Sequence, residues 1–120
     1  MGPDDLIIEL PYPNKDLMPN RKNGKHWAST RKVKEQAIHD AYYSALQARK
    51  QAIMSTDGLI PMTITYIQSD KRYRDLDNLL AASKPSIDGI ARALNVDDSI
   101  FEPITIKRGY AEQSMMRVEL

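Results

Sequence analysis

The first patterned stretch, Leu6-Ile7-Ile8-Glu9-Leu10, is a short apolar run stopped by Pro11 and Pro13, and it predicts a strand. Residues 11–30 lose all periodicity. They hold three prolines, three asparagines and Gly24, which predicts a long loop of the kind that is functional or disordered in a compact domain. Ser29 or Thr30 is placed to cap the next element. Val33, Ala37, Tyr42 (or Ala41), Ala45, Ala48 and Ala52 then recur at helical spacing to about Met54, and Asp57-Gly58 ends the pattern. From Leu59 to Ile67 the period changes to two. Met62, Ile64 and Tyr66 alternate with Thr63, Thr65 and Ile67 in a β-branched stretch that predicts a second strand.

A polar connector, SDKRYRDLDN, leads into Leu76, Leu79/Leu80, Ile87, Ile90/Ala91 and Leu94, which repeat at helical spacing. Pro85 removes a backbone donor inside this helix and should kink it or split it in two. Asn95 can close it. Ile100 to Arg108 predicts a strand whose start Pro103 confines to an edge or a bulge. Gly109 begins a turn, and Met115 to Leu120 alternates as a last strand. The order β-loop-α-β-α-β-β predicts one mixed α/β domain over residues 1–120, a small mixed sheet covered by two helices.

Composition narrows the chemistry. The 120 residues are 42% hydrophobic and 28% charged, enough for a packed core. The absence of cysteine removes disulfides, thiolate nucleophiles, zinc fingers and iron–sulfur clusters. With His26 and His39 the only histidines, a metal would have to be bound through oxygen. No apolar run approaches a membrane span, and MGPDDLIIEL lacks a signal peptide's order, so a cytoplasmic chain without a membrane partner is expected. The net charge of +1 hides an asymmetry: Arg21, Lys22, Lys25, Arg31, Lys32 and Lys34 fall in one acid-free window, and the remainder sums to −5. Such separation fits a surface that attracts a polyanion, or a merely solvated face.

Asp75 and Asp77 stand two apart where a loop enters a helix, a spacing that in extended backbone turns both carboxylates to one side. Asp97 and Asp98 follow the helix. Carboxylates without cysteine suit Mg²⁺ or Mn²⁺, and Lys71, Arg72 and Arg74 beside them would attract a phosphodiester. The other reading is that these aspartates cap a helix. A straight helix would hold the two acidic pairs about 25 Å apart at 1.5 Å per residue, so a shared site needs the kink at Pro85 and a returning loop.

The block RDLDNL at 74–79, the acidic pair at 97–98, the opening LPYPN at 10–14 and the PN…HW that follows resemble the RusA family of Holliday-junction resolvases over nearly the full chain. The resemblance implies a Mg²⁺-dependent endonuclease, a homodimer that cuts four-way DNA by paired symmetric nicks in recombination and repair. It implies metal-binding aspartates at Asp75, Asp77 and Asp98, with Asp97 the alternative third carboxylate. Asn78 matches the asparagine that follows the second aspartate. Where the family has a lysine three residues later this chain has Ala81, but Lys84-Pro85-Ser86-Ile87-Asp88 keeps the Lys-x-x-x-Asp unit, making Lys84 the candidate catalytic cation. DNA contacts are expected from Arg21, Lys22, Lys25, His26, Arg31, Arg72 and Arg74. Trp27 serves either as a stacking residue or as a packing anchor. A non-catalytic nucleic-acid-binding module and a nuclease of other branched DNA are the rival readings.

Overall fold

A computed structural model describes residues 6–18, 27–49 and 58–120. In chain order these form β1 (Ile7–Leu10), α1 (Trp27–Ala48), β2 (Ile60–Gln68), α2 (Leu76–Ala82), α3 (Lys84–Leu94), β3 (Phe101–Tyr110) and β4 (Met115–Glu119). Single 3₁₀ turns lie at Lys15–Leu17 and Asp98–Ile100. The strands make one sheet in the order β1-β4-β2-β3. β4 runs antiparallel to both β1 and β2, whereas β2 and β3 are parallel. A parallel pair needs a long crossover, and α2 and α3 supply it.

Period-two alternation sends Ile60, Met62, Ile64 and Tyr66 of β2 to one face, where all four are buried. Ile8 and Leu10 of β1 and Met116 and Val118 of β4 join them. Onto that face pack Ala41 and Ala45 of α1, and Ile87, Ile90, Ala91 and Leu94 of α3 at the spacing of one helical stripe. Each large apolar side chain so buried contributes about 1.5–3 kcal/mol, well above any exposed ion pair on the helices. Gly89 sets the approach of the two helices: a Cβ there would fall on the Ile38 carbonyl oxygen and within 3.0 Å of the Ala41 methyl.

The mixed α/β class and the small mixed sheet are as expected; the helices differ in detail. α1 begins at Trp27, earlier than its expected caps, and ends at Ala48; residues 50–57 lie outside the described residues. The helix expected from Leu76 to Leu94 is two helices, because Pro85 cannot donate to a preceding carbonyl and instead occupies the first turn of α3. Ser83 at the break is wholly buried and fastened to the sheet. Its Oγ donates to the Leu79 carbonyl at 2.7 Å and accepts from the Tyr66 hydroxyl at 2.9 Å. Burial pushes the Tyr66 phenol up to about 12, with the Ser83 hydrogen bond acting in the opposite sense. Asn95 closes α3 in the left-handed conformation (φ 58°), and the Val96 N–H reaches back to the Ala91 carbonyl at 3.0 Å. Pro103 lies on an edge strand, with a register shift opposite it between Ile60 and Met62. β3 continues through Gly109, so the turn begins only at Ala111.

Candidate functional site

The polar connector after β2 is a built loop. Gln68, almost fully buried at the end of β2, donates from Nε2 to the carbonyls of Asp70 (3.0 Å) and Arg72 (2.7 Å). Its Oε1 accepts from the Tyr12 hydroxyl at 3.3 Å. Asp70 accepts the Arg72 N–H at 3.1 Å and both terminal nitrogens of Arg74 at 2.8 and 3.3 Å. The Arg74 hydrogen bond, then the Arg72 N–H, hold the Asp70 carboxyl below its usual range, and Arg74 is raised in turn. The Arg74 guanidinium also lies 5.6 Å from the centre of the Tyr12 ring, which meets Tyr66 edge-on at 6.5 Å. The tertiary fold thus joins the LPYPN turn to the RDLDN block, 60 residues apart in sequence.

Asp75 occupies the N-cap position of α2, yet its carboxylate makes no capping hydrogen bond. It accepts instead from Asn78 Nδ2 in a long contact of 3.5 Å. Asp77, in the first turn, accepts the Asn78 N–H at 3.0 Å. Both aspartates are exposed. The first two carboxylates of the sequence motif therefore stand at one helix start, exposed to solvent, and Asn78 in the first turns of α2 donates to both.

Asp98 does not join them within the chain. The parallel register sets Phe101 beside Ile60 and Arg108 beside Tyr66, at opposite ends of β3. Asp98 lies in the turn just before Phe101, whereas Arg108 Nη2 donates to the Arg74 carbonyl at 2.6 Å, next to Asp75. Seven strand residues, about 23 Å at 3.3 Å each, separate these ends. The break at Pro85 exists, but α3 runs back beneath the sheet to the start of β3 and carries Asp98 away. Asp97 lies beside it and accepts from Ser99 Oγ at 2.5 Å. Among the described residues, no group of three His, Asp or Glu is gathered to hold a metal ion. The donor chemistry suits a hard cation, but the described residues of the chain bring together only the Asp75–Asp77 pair.

The cations divide by what they already do. Arg74 is engaged by Asp70 and Tyr12, while Arg72 and Lys71 are exposed. Arg31, on the first turns of α1, pairs with Glu35 at 3.1 Å in an exposed i,i+4 bridge. Lys84 is exposed at the first residue of α3. Since a new helix begins there, rotation counted along one continuous helix no longer relates it to Asp77. Arg21, Lys22, Lys25 and His26 lie outside the described residues, as does the Trp27 side chain. Sequence reasoning missed Arg108, whose guanidinium lies 4.8 Å from the centre of the Tyr73 ring and whose Nε is buried without a partner among the described residues. Tyr73 itself is 77% exposed, a large aromatic with the Arg108 guanidinium over its ring and two residues before Asp75 in the chain. Its position directly before Arg74 was the only signal available.

No family model matches the chain. It is similar to an uncharacterized protein of Xylella fastidiosa (strain Temecula1 / ATCC 700964), 36% identical over 95 residues, which are 78% of this chain and 61% of the relative. The chain thus spans about three fifths of that relative's length. Among the described residues, no helix is long and apolar enough to cross a membrane.

Proposed function

We propose that this chain is a Mg²⁺-dependent endodeoxyribonuclease of branched DNA, a RusA-like homodimer that resolves four-way junctions by paired nicks. The carrying observation is Asp75: it stands at a helix start, makes no capping bond, and shares its exposed surface with Asp77, Asn78 and a set of arginines. A residue that only capped α2 would aim its oxygen at the backbone N–H groups of the first turn.

Arg72 and Arg108, with the basic window of 21–34, would attract and orient the phosphate backbone. Lys84 would neutralise charge on the scissile phosphate. Tyr73 offers a ring on which an exposed base can stack. Magnesium, or manganese in its place, would lower the pKa of a bound water and stabilise charge on phosphate oxygens. Asp75 and Asp77 of one copy would hold it together with Asp98 of a second copy. A two-fold axis crossing the middle of β3 inverts that strand end for end, which brings the Asp98 end of one copy toward the Asp75 end of the other. β3 is an edge strand with Ile104 and Tyr110 exposed, so the surface such an axis would bury is available.

The wide separation of Asp98 from Asp75 in a single protomer favours one other reading, a nucleic-acid-binding module without catalysis. A gel separates the two. Wild-type protein should nick a labelled four-way junction with Mg²⁺, spare linear duplex, and lose activity in EDTA. Asp75→Asn should bind the junction and leave it uncut. Binding with no metal-dependent nicking would leave only the module.

A further inference from the structure

At the other end of α2 from Asp75 lies a cavity of about 500 Å³ that the proposed cleavage chemistry does not use. Its walls are the Pro11-Tyr12-Pro13 turn, Val33 and Ala37 of α1, and Ala82 at the end of α2. Its volume falls within the range of small-ligand sites, about 300–1,000 Å³. Apolar walls and one aromatic ring are the surfaces between which a planar heterocycle is held. The polar groups on the wall are Lys32, Gln36 and Asp40 of α1, Ser86 of α3, and Tyr12 and Asn14 of the turn after β1. Gln36 Nε2 donates to Asp40 Oδ1 at 2.8 Å, which leaves the second Asp40 carboxylate oxygen and the amide oxygen as acceptors and one amide N–H as a donor. Lys32 adds a positive charge at the rim.

Its location points to the ligand. Asn78, hydrogen-bonded to Asp75, is four residues before Ala82, so both lie on one face of α2. From Asp75 to Ala82 the helix rises about 10 Å at 1.5 Å per residue. A nucleotide whose phosphate rests at the carboxylates, or its neighbour on the strand, spans that distance. Tyr12 forms part of the wall and carries the Arg74 guanidinium on its ring, so the cavity and the phosphate-facing arginines share a side chain.

We propose that this cavity is a base-binding subsite that receives an unstacked nucleobase of the bound DNA, guanine in preference to thymine. The proposal rests on the nucleic-acid reading above and deepens it. An enzyme that acts on distorted DNA holds an extruded base by stacking and by hydrogen bonds to its Watson–Crick edge. The Asp40 carboxylate is the acceptor on α1 that can meet a pair of adjacent N–H donors. Guanine presents two adjacent N–H donors on that edge and can pair with the Asp40 carboxylate, whereas thymine presents one.

The test uses mononucleotides on the intact chain, followed by amide NMR shifts, and does not depend on cleavage. dGMP should shift the resonances of Val33, Ala37 and Ser86 in a saturable manner, and dTMP should bind about tenfold more weakly, the scale of one base-edge contact. Deoxyribose 5-phosphate, which lacks a base, should leave these resonances in place. Asp40→Asn, at a surface position, should weaken dGMP about tenfold while the spectrum keeps its native dispersion. Shifts confined to Arg72, Arg74 and Arg108 would show phosphate binding alone and overturn the subsite, as would equal binding by all three ligands. A subsite that binds dGMP in a protein that never cuts a junction would refute the nuclease reading and leave this one standing.

Discussion

The separation of Asp98 from Asp75 makes a subunit-mixing experiment decisive. Asp75→Asn and Asp98→Asn should each be inactive as pure proteins, because in the proposed homodimer every site then lacks one carboxylate. About 23 Å of strand stands between the two positions in one protomer, while an aspartate side chain reaches only a few ångström. A site shared between copies therefore predicts rescue on mixing. In a mixed dimer one site carries both substitutions and the other carries neither. Random exchange makes half the dimers mixed, so roughly one site in four is intact, and nicking should recover to about a quarter of the wild-type rate. Product should appear as single nicks, since paired cuts need both sites. The assay is single-turnover nicking of a labelled junction after the variants are co-refolded, with the tagged heterodimer purified as a check. A mixture as inactive as its parents would refute the shared site and with it the proposed role of Asp98.

Lys84→Ala should lower the nicking rate about 10²-fold while junction affinity, read by gel shift, changes little; full activity would transfer the role to Arg72 or Arg108. The Tyr66 phenol ionises near 10 when unfolded and is pushed up to about 12 when folded, so the neutral form is the one the fold favours. Its contribution is whole below pH 10 and is lost as pH rises through about 12, about 3 kcal/mol in all; Tyr66→Phe should flatten this alkaline decline in urea unfolding. Gly89→Ala should cost about 1–3 kcal/mol by wedging α3 off α1, offset by up to about 1 kcal/mol of helix propensity, and a variant as stable as wild type would show that the two helices separate freely.

Local chemistry decided much of this protein. Period two alone identifies β2, because burying Ile60, Met62, Ile64 and Tyr66 on one face requires no other strand to be known. Pro85 states its break and Asn95 its stop, since ring closure and the left-handed conformation act within a few residues. The Asp75–Asp77 pair is equally local: two residues apart at a helix start, they remain neighbours whatever else the chain does. Asp98 is different. The helical pattern between it and Asp75 sets a separation of about 25 Å for a straight helix. Whether the break at Pro85 turns Asp98 back toward Asp75 depends on how α3 and β3 pack on the sheet. The parallel register is a property of the packed sheet, and it sends the two acidic pairs to opposite ends. Arg108 and Tyr12 became visible for the same reason. Each is an ordinary residue of its own strand or turn, and only the assembled core brings them to Arg74.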